Sequence, residues 1–163
     1  MKKSYDYFKT LKAMSDCICN AYNFVRNPDR YRKEILLFNA NRTELSRSLS
    51  EEFVAPIERN DIYSLSNCLN EELYFVSKLN NIISLVDINT FTFVDCISEM
   101  FDKQNTIFSS LGDTKRNDKT IKLINESRAT LNGVNSSIVL TIKGCLKNCN
   151  QPILKYAVAS GFF

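Results

Sequence analysis

The sequence contains no histidine and no tryptophan, and holds only four glycines and three prolines. Each shortage removes something. Without histidine there is no Ser-His-Asp triad, no Cys-His pair and no imidazole ligand for a metal. Four glycines build no phosphate-cradling loop, and neither GxGxxG nor GxxxxGK[ST] occurs. Scarce glycine and proline favour long helices over a turn-rich β fold. Long apolar runs are also missing. No stretch approaches the ~18 apolar residues of a membrane-spanning helix. The opening MKKSYDYFKTLKAMSDC lacks the uninterrupted apolar core of a secretory signal. The default expectation is a cytoplasmic protein.

What is present fits one globular domain. The 163 residues are 44% hydrophobic and 24% charged. A chain of this size can bury roughly 70% of its unfolded surface, and it is too apolar to stay disordered. The formal net charge is +3, and after Glu126 the only charged side chains are Arg128, Lys143, Lys147 and Lys155. That basic stretch is sparse. Nucleic-acid modules concentrate far more positive charge, so no nucleic-acid partner is expected. The six cysteines are Cys17, Cys19, Cys68, Cys96, Cys145 and Cys149. Without a secretory signal they are expected to stay reduced and to act mostly as small buried hydrophobes. Cys145 and Cys149 share a face on a helix, but two thiolates do not make a zinc site.

Apolar residues recur at three- and four-residue spacing along almost the whole chain, the mark of amphipathic helices. Phe8, Leu11, Met14, Ile18, Ala21 and Val25 stripe the first helix. Asn27-Pro28 ends it and caps the second, which carries Tyr31, Ile35, Phe38, Leu45, Leu49 and Phe53. Pro56 is predicted to stop that helix, since the residue before proline leaves helical geometry. The third helix carries Ile62, Leu65, Leu69, Leu73, Val76, Leu79, Ile83 and Val86. Glu58 and Asp61 suit the dipole of its first turn. A break at Asp87–Thr90 precedes a fourth helix with Val94, Ile97, Phe101 and Phe108. LGDTKRND reads as a polar loop. A fifth helix starts near Asn117 and carries Ile121, Ile124, Leu131, Ile138 and Ile142, with Gly133 weakening its middle and Gly144 marking its end. Gln151-Pro152 opens a short final segment. Short connections predict an up-and-down antiparallel bundle.

Candidate chemistry is confined to polar residues on these helices. Asp95, Glu99 and Asp102 share one helical face. Their spacing would suit a hard cation such as Mg²⁺ or Ca²⁺, but it is also the ordinary solvated side of an amphipathic helix, the preferred reading. Glu51-Glu52 and Glu71-Glu72 are adjacent pairs that point apart on a helix. Asn39 and Arg42, Asn70 and Tyr74, and Arg128, Asn132 and Asn135 lie in or beside apolar stripes. Periodicity leaves two readings open: a polar site inside the bundle, or side chains turned outward.

The segment FVAPIERNDIYSLSNCLNEEL, from Phe53, resembles the signature turn of the divergent PhoU-like family of phosphate-transport regulators. That turn reads roughly F-x-x-P-[acidic]-R-[acidic]-D-I. Phe53, Pro56, Glu58, Arg59, Asp61 and Ile62 fit it, with Ile57 as an extra residue and Asn60 in place of one acid. KSYDYFKTLKAMSDCICNAYNF resembles the family's first helix, and KLINESRATLNGVNSS more weakly its second-half helix. The resemblance implies an all-α bundle of two three-helix repeats in a single domain, 1–163. Repeat one covers about 4–86. An incomplete repeat two covers about 89–163, its last helix cut short at QPILKYAVASGFF.

The same resemblance implies a non-enzymatic accessory role beside a Pit-type inorganic phosphate permease, in the cytoplasm at the inner membrane face, with membrane contact only through that partner. The alternative is a metal-free interaction or oligomerisation module, such as a homodimer, that has lost the phosphate role. Family members often bind Fe, Zn or Ni clusters through carboxylates on facing helices. The corresponding positions here are Leu37 and Asn39, then Asn70, Glu71 and Tyr74, then Arg128 or Thr130 with Asn132. Glu71 alone keeps a carboxylate, and neutral amides are poor ligands for a multinuclear site. The expectation is a degenerate metal site, a metal-free polar core and no cofactor. The turn itself suits fold maintenance more than partner contact.

Overall fold

A computed structural model of the chain describes residues 5–24, 27–52, 56–83, 94–113 and 118–147. Five helices account for nearly all of them: α1 (Tyr7–Asn23), α2 (Pro28–Glu51), α3 (Pro56–Ile83), α4 (Val94–Asp113) and α5 (Asp118–Lys147). The described residues contain no strand, so the all-α class expected from periodicity holds.

Local chemistry sets the helix starts. The Asp6 side chain accepts a hydrogen bond from the Lys9 backbone N–H, and Asn27 Oδ1 accepts one from that of Arg30. Each cap satisfies a donor with no helical partner and contributes about 1 kcal/mol. Pro28 and Pro56 occupy the first positions of α2 and α3, where a missing N–H costs nothing. The α2 stop therefore differs from the expectation. The helix ends at Glu51, before Pro56, where Glu52 turns extended at φ −98° and ψ 147°. Two further corrections concern ends. Leu111, Gly112 and Asp113 belong to α4 rather than to a loop, and Gly144 lies inside α5, which runs on to Lys147. The Asp87–Thr90 break, Val25, Phe53, Val86 and the QPILKYAVASGFF segment lie outside the described residues.

Chain direction alternates as an up-and-down bundle requires. Glu52, after the end of α2, reaches Tyr5 and Tyr7 at the start of α1. Tyr31 near the start of α2 hydrogen-bonds Ser77 late in α3. Tyr22 late in α1 stacks on Phe101 early in α4. Spatial order is not chain order, however. α1 packs against α3 and α4, and α5 packs against the same two helices, so α1, α3, α5 and α4 close a ring of four. α2 lies outside that ring, its broad face against α1 alone.

The predicted stripes form the core. Leu11, Met14 and Ile18, Phe38, Leu45 and Leu49, Ile62, Leu65 and Leu69, Phe108, and Leu131, Ile138 and Ile142 are all fully buried. Among the described stripe residues Tyr31 and Ile35 are half-buried against this core, and Ile121 is 62% exposed on α5. Gly112 permits the close approach of α4 to α1. A Cβ there would lie 2.9 Å from Lys12 Cδ and 3.2 Å from Lys12 Cβ. Gly133 has the opposite setting, with nothing within 4 Å of such an atom. Gly133→Ala in mid-helix is therefore expected to stabilise the protein by about 0.5–1 kcal/mol, read as a higher urea midpoint at unchanged m-value.

Candidate functional site

Three side chains from three helices meet on the bundle axis. Gln104 of α4 donates from Nε2 to Ser15 Oγ of α1 at 3.0 Å and to Glu72 Oε1 of α3 at 2.6 Å. All three residues are completely buried. In the ring α3 and α4 are diagonal partners, so this bond spans the centre. Glu72 Oε2 and Gln104 Oε1 have no partner, although each is buried. They complement each other only when Glu72 carries a proton, because a carboxylate offers no donor. Burial pushes the Glu72 carboxyl up to about 8, against a smaller lowering by the Gln104 hydrogen bond. Burial thus favours the neutral acid form of Glu72.

Cys19 borders this layer. Burial raises its thiol far above the ordinary range, with Glu72 and Asp16 adding to the effect. Cys17 is pushed up to about 11, first by burial and then by Glu34 and Asp16. Cys68 moves the same way, mostly through burial. All three are free thiols held in the protonated, unreactive form.

Arg59 and Asp61 of the turn motif are half-buried and engaged within the fold. Arg59 Nη2 donates to the Glu52 backbone carbonyl at 3.2 Å. The Glu52 carboxylate in turn accepts from the Tyr5 N–H at 3.3 Å and the Tyr7 hydroxyl at 3.2 Å. Asp61 pairs with Arg128 of α5, Nη2 to Oδ1 at 3.2 Å, with both side chains about two-thirds buried. Arg59 and Asp61 therefore tie α3 to α1, α2 and α5. Phe53 and the side chains of Pro56 and Glu58 lie outside the described residues.

The degenerate metal positions are only partly brought together. Asn39 is exposed on α2, outside the ring, and Asn70 is half-buried on α3. Tyr74 is 52% exposed, packs edge-on against Phe75 and lies under the Lys78 ammonium. Glu71 and Asn132 do border one groove. With Phe75, Asn135 and Leu140 they line an open α3–α5 groove of about 500 Å³. Asn135 is buried, and its Oδ1 has no partner. Among the described residues no group of three or more His, Cys, Asp or Glu side chains is placed to hold a metal ion. Glu99 and Asp102 are exposed, as a solvated face requires, and the side chain of Asp95 lies outside the described residues.

Glu71 and Glu72 do point apart, and the functional interest falls on the second. The signal was in the spacing. Glu72 stands three residues after Leu69 and four before Val76, inside the apolar stripe of α3. Gln104 stands between Phe101 and Phe108 in the same way, and Ser15 between Leu11 and Ile18. No protein-family profile, curated protein or solved structure matches the chain. Fold and site together define an all-α five-helix bundle with a buried acid–amide–hydroxyl layer. No helix among the described residues is long and apolar enough to cross a membrane.

Proposed function

We propose that this chain works by binding another protein, as a non-enzymatic accessory of inorganic phosphate transport whose partner is a Pit-type permease at the inner membrane face. The protein-binding half of this reading is carried by α2. That helix lies outside the ring and presents Leu36, 70% exposed, and Leu37, 49% exposed, beside its buried Phe38. Adjacent large apolar side chains on an outer helix suit a partner surface better than solvent. The phosphate half is supported by the resemblance of the Phe53–Ile62 turn. Because Arg59 and Asp61 are engaged within the fold, the contact with a partner belongs elsewhere, and α2 offers it.

A second reading is favoured by the same helix. Two copies apposed through α2 would cover Leu36 and Leu37 and give a homodimer without any phosphate role. Co-purification from native membranes separates the two. The first reading expects a phosphate permease in the eluate, and expects Leu36→Glu with Leu37→Glu to cut its recovery at least tenfold while the helical circular dichroism is unchanged. A tight dimer by sedimentation, dispersed by the same substitutions and accompanied by no permease, establishes the second. A monomer that captures no permease excludes both.

A further inference from the structure

We propose that Glu72 is a proton-operated lock at the centre of the bundle: protonated, it joins α3 to α4 through Gln104, and on losing that proton to solvent it becomes an unpaired buried anion that loosens the packing of α1, α3 and α4. The inference does not depend on which partner the chain binds.

The geometry carries it. Glu72 is fully buried and its one hydrogen bond comes from a neutral amide. The atoms left over, Glu72 Oε2 and Gln104 Oε1, need one donor between them. A proton on Oε2 supplies the donor that the carboxylate lacks. Removing the proton leaves Glu72 Oε2 a charged acceptor that is buried without a donor, an arrangement that costs free energy in a dry interior.

The surroundings offer the anion no relief. The titratable groups that interact with Glu72 are the Cys19 thiol of α1 and the Cys68 thiol of α3, neither of them a cation. Around Cys19 lie Asp16 of α1 and Asp102 of α4, both acidic. Around Cys68 lie Glu71 and Arg128 of α5, and Arg128 is committed to Asp61.

Linkage sets the sign. The folded state holds the Glu72 proton up to about pH 8, against an ordinary carboxyl value of 4.5. Its stabilising contribution is therefore complete below about pH 4.5 and is lost as pH rises through about 8. Over that window the unfolding constant gains about tenfold per pH unit from this group.

The test is urea unfolding of the full chain from about pH 5 to about pH 9 for wild type and Glu72→Gln, whose amide mimics the protonated acid. The ratio of their unfolding constants is expected to climb about tenfold per unit and to level off above about pH 8. Over the same range, hydrogen exchange corrected for its intrinsic pH dependence is expected to quicken in α1, α3 and α4 of wild type only. A ratio constant with pH overturns the proposal. One further readout serves even if Glu72→Gln does not fold. Infrared spectra of wild type at neutral pH are expected to show the carbonyl stretch of a protonated carboxyl, and its absence overturns the lock.

Discussion

Phe38→Ala is expected to lower stability by about 3–5 kcal/mol, the range for deleting a fully buried aromatic side chain. Phe38 has no exposed surface, and α2 holds on with few other anchors, Leu45 and Leu49 being its remaining fully buried apolar side chains. Because the broad contact of α2 is with α1 alone, the loss falls on one interface. Urea denaturation followed by circular dichroism measures it. The adjacent Leu37→Ala serves as the control, with an expected change within about 0.5 kcal/mol because that side chain is half exposed. A Phe38→Ala protein that loses under 1 kcal/mol would mean that α2 is not packed as described.

The second large effect concerns the axis. Gln104→Leu alone is expected to cost about 1–3 kcal/mol, since Glu72 then loses its only hydrogen-bond donor while staying buried. Combining it with Glu72→Met removes both partners and fills the layer with apolar atoms. The double variant is expected to be as stable as wild type or up to about 4 kcal/mol more stable at neutral pH. Denaturant unfolding of the four proteins in the cycle gives the coupling energy, expected at about 0.5–3 kcal/mol. Additive single effects would show that the two side chains do not act as a pair. If the double variant gains stability, the polar layer is retained for something other than strength, as a titrating lock would be.

The helices and their apolar stripes were legible because burial imposes a 3.6-residue rhythm that no neighbouring element disturbs. Pro28 and Asn27 marked the α2 start for the same local reason. The ends of α2, α4 and α5 were less legible. Leu111 is a buried stripe residue that extends α4 past the point where polar letters suggest a loop, so packing outweighs composition there. The ring of four was not legible at all. Connection lengths set the alternation of direction, but which faces meet depends on the angular position of each stripe summed over four helices. The site was readable in part. Asn39, Asn70, Tyr74 and Asn132 are polar residues beside the stripes, while Glu72, Gln104 and Ser15 occupy the stripes themselves. A strict register count separates the two sets. Ile121 and Leu140, which is 68% exposed, show the converse case of apolar residues that the register turns outward.

The pairing of α1 with α4 also bears on how the chain reaches its fold. Ser15 and Gln104 are 89 residues apart in sequence. A bundle whose successive helices simply pack in turn would close mostly local contacts. Here the first helix cannot complete its core face until the fourth exists. Such a topology raises contact order and slows folding relative to a sequential bundle. During synthesis, the apolar stripe from Leu11 to Ile18 is covered on its α2 side early but stays open on its α4 side through much of elongation. At ~5–20 residues per second, that interval lasts several seconds.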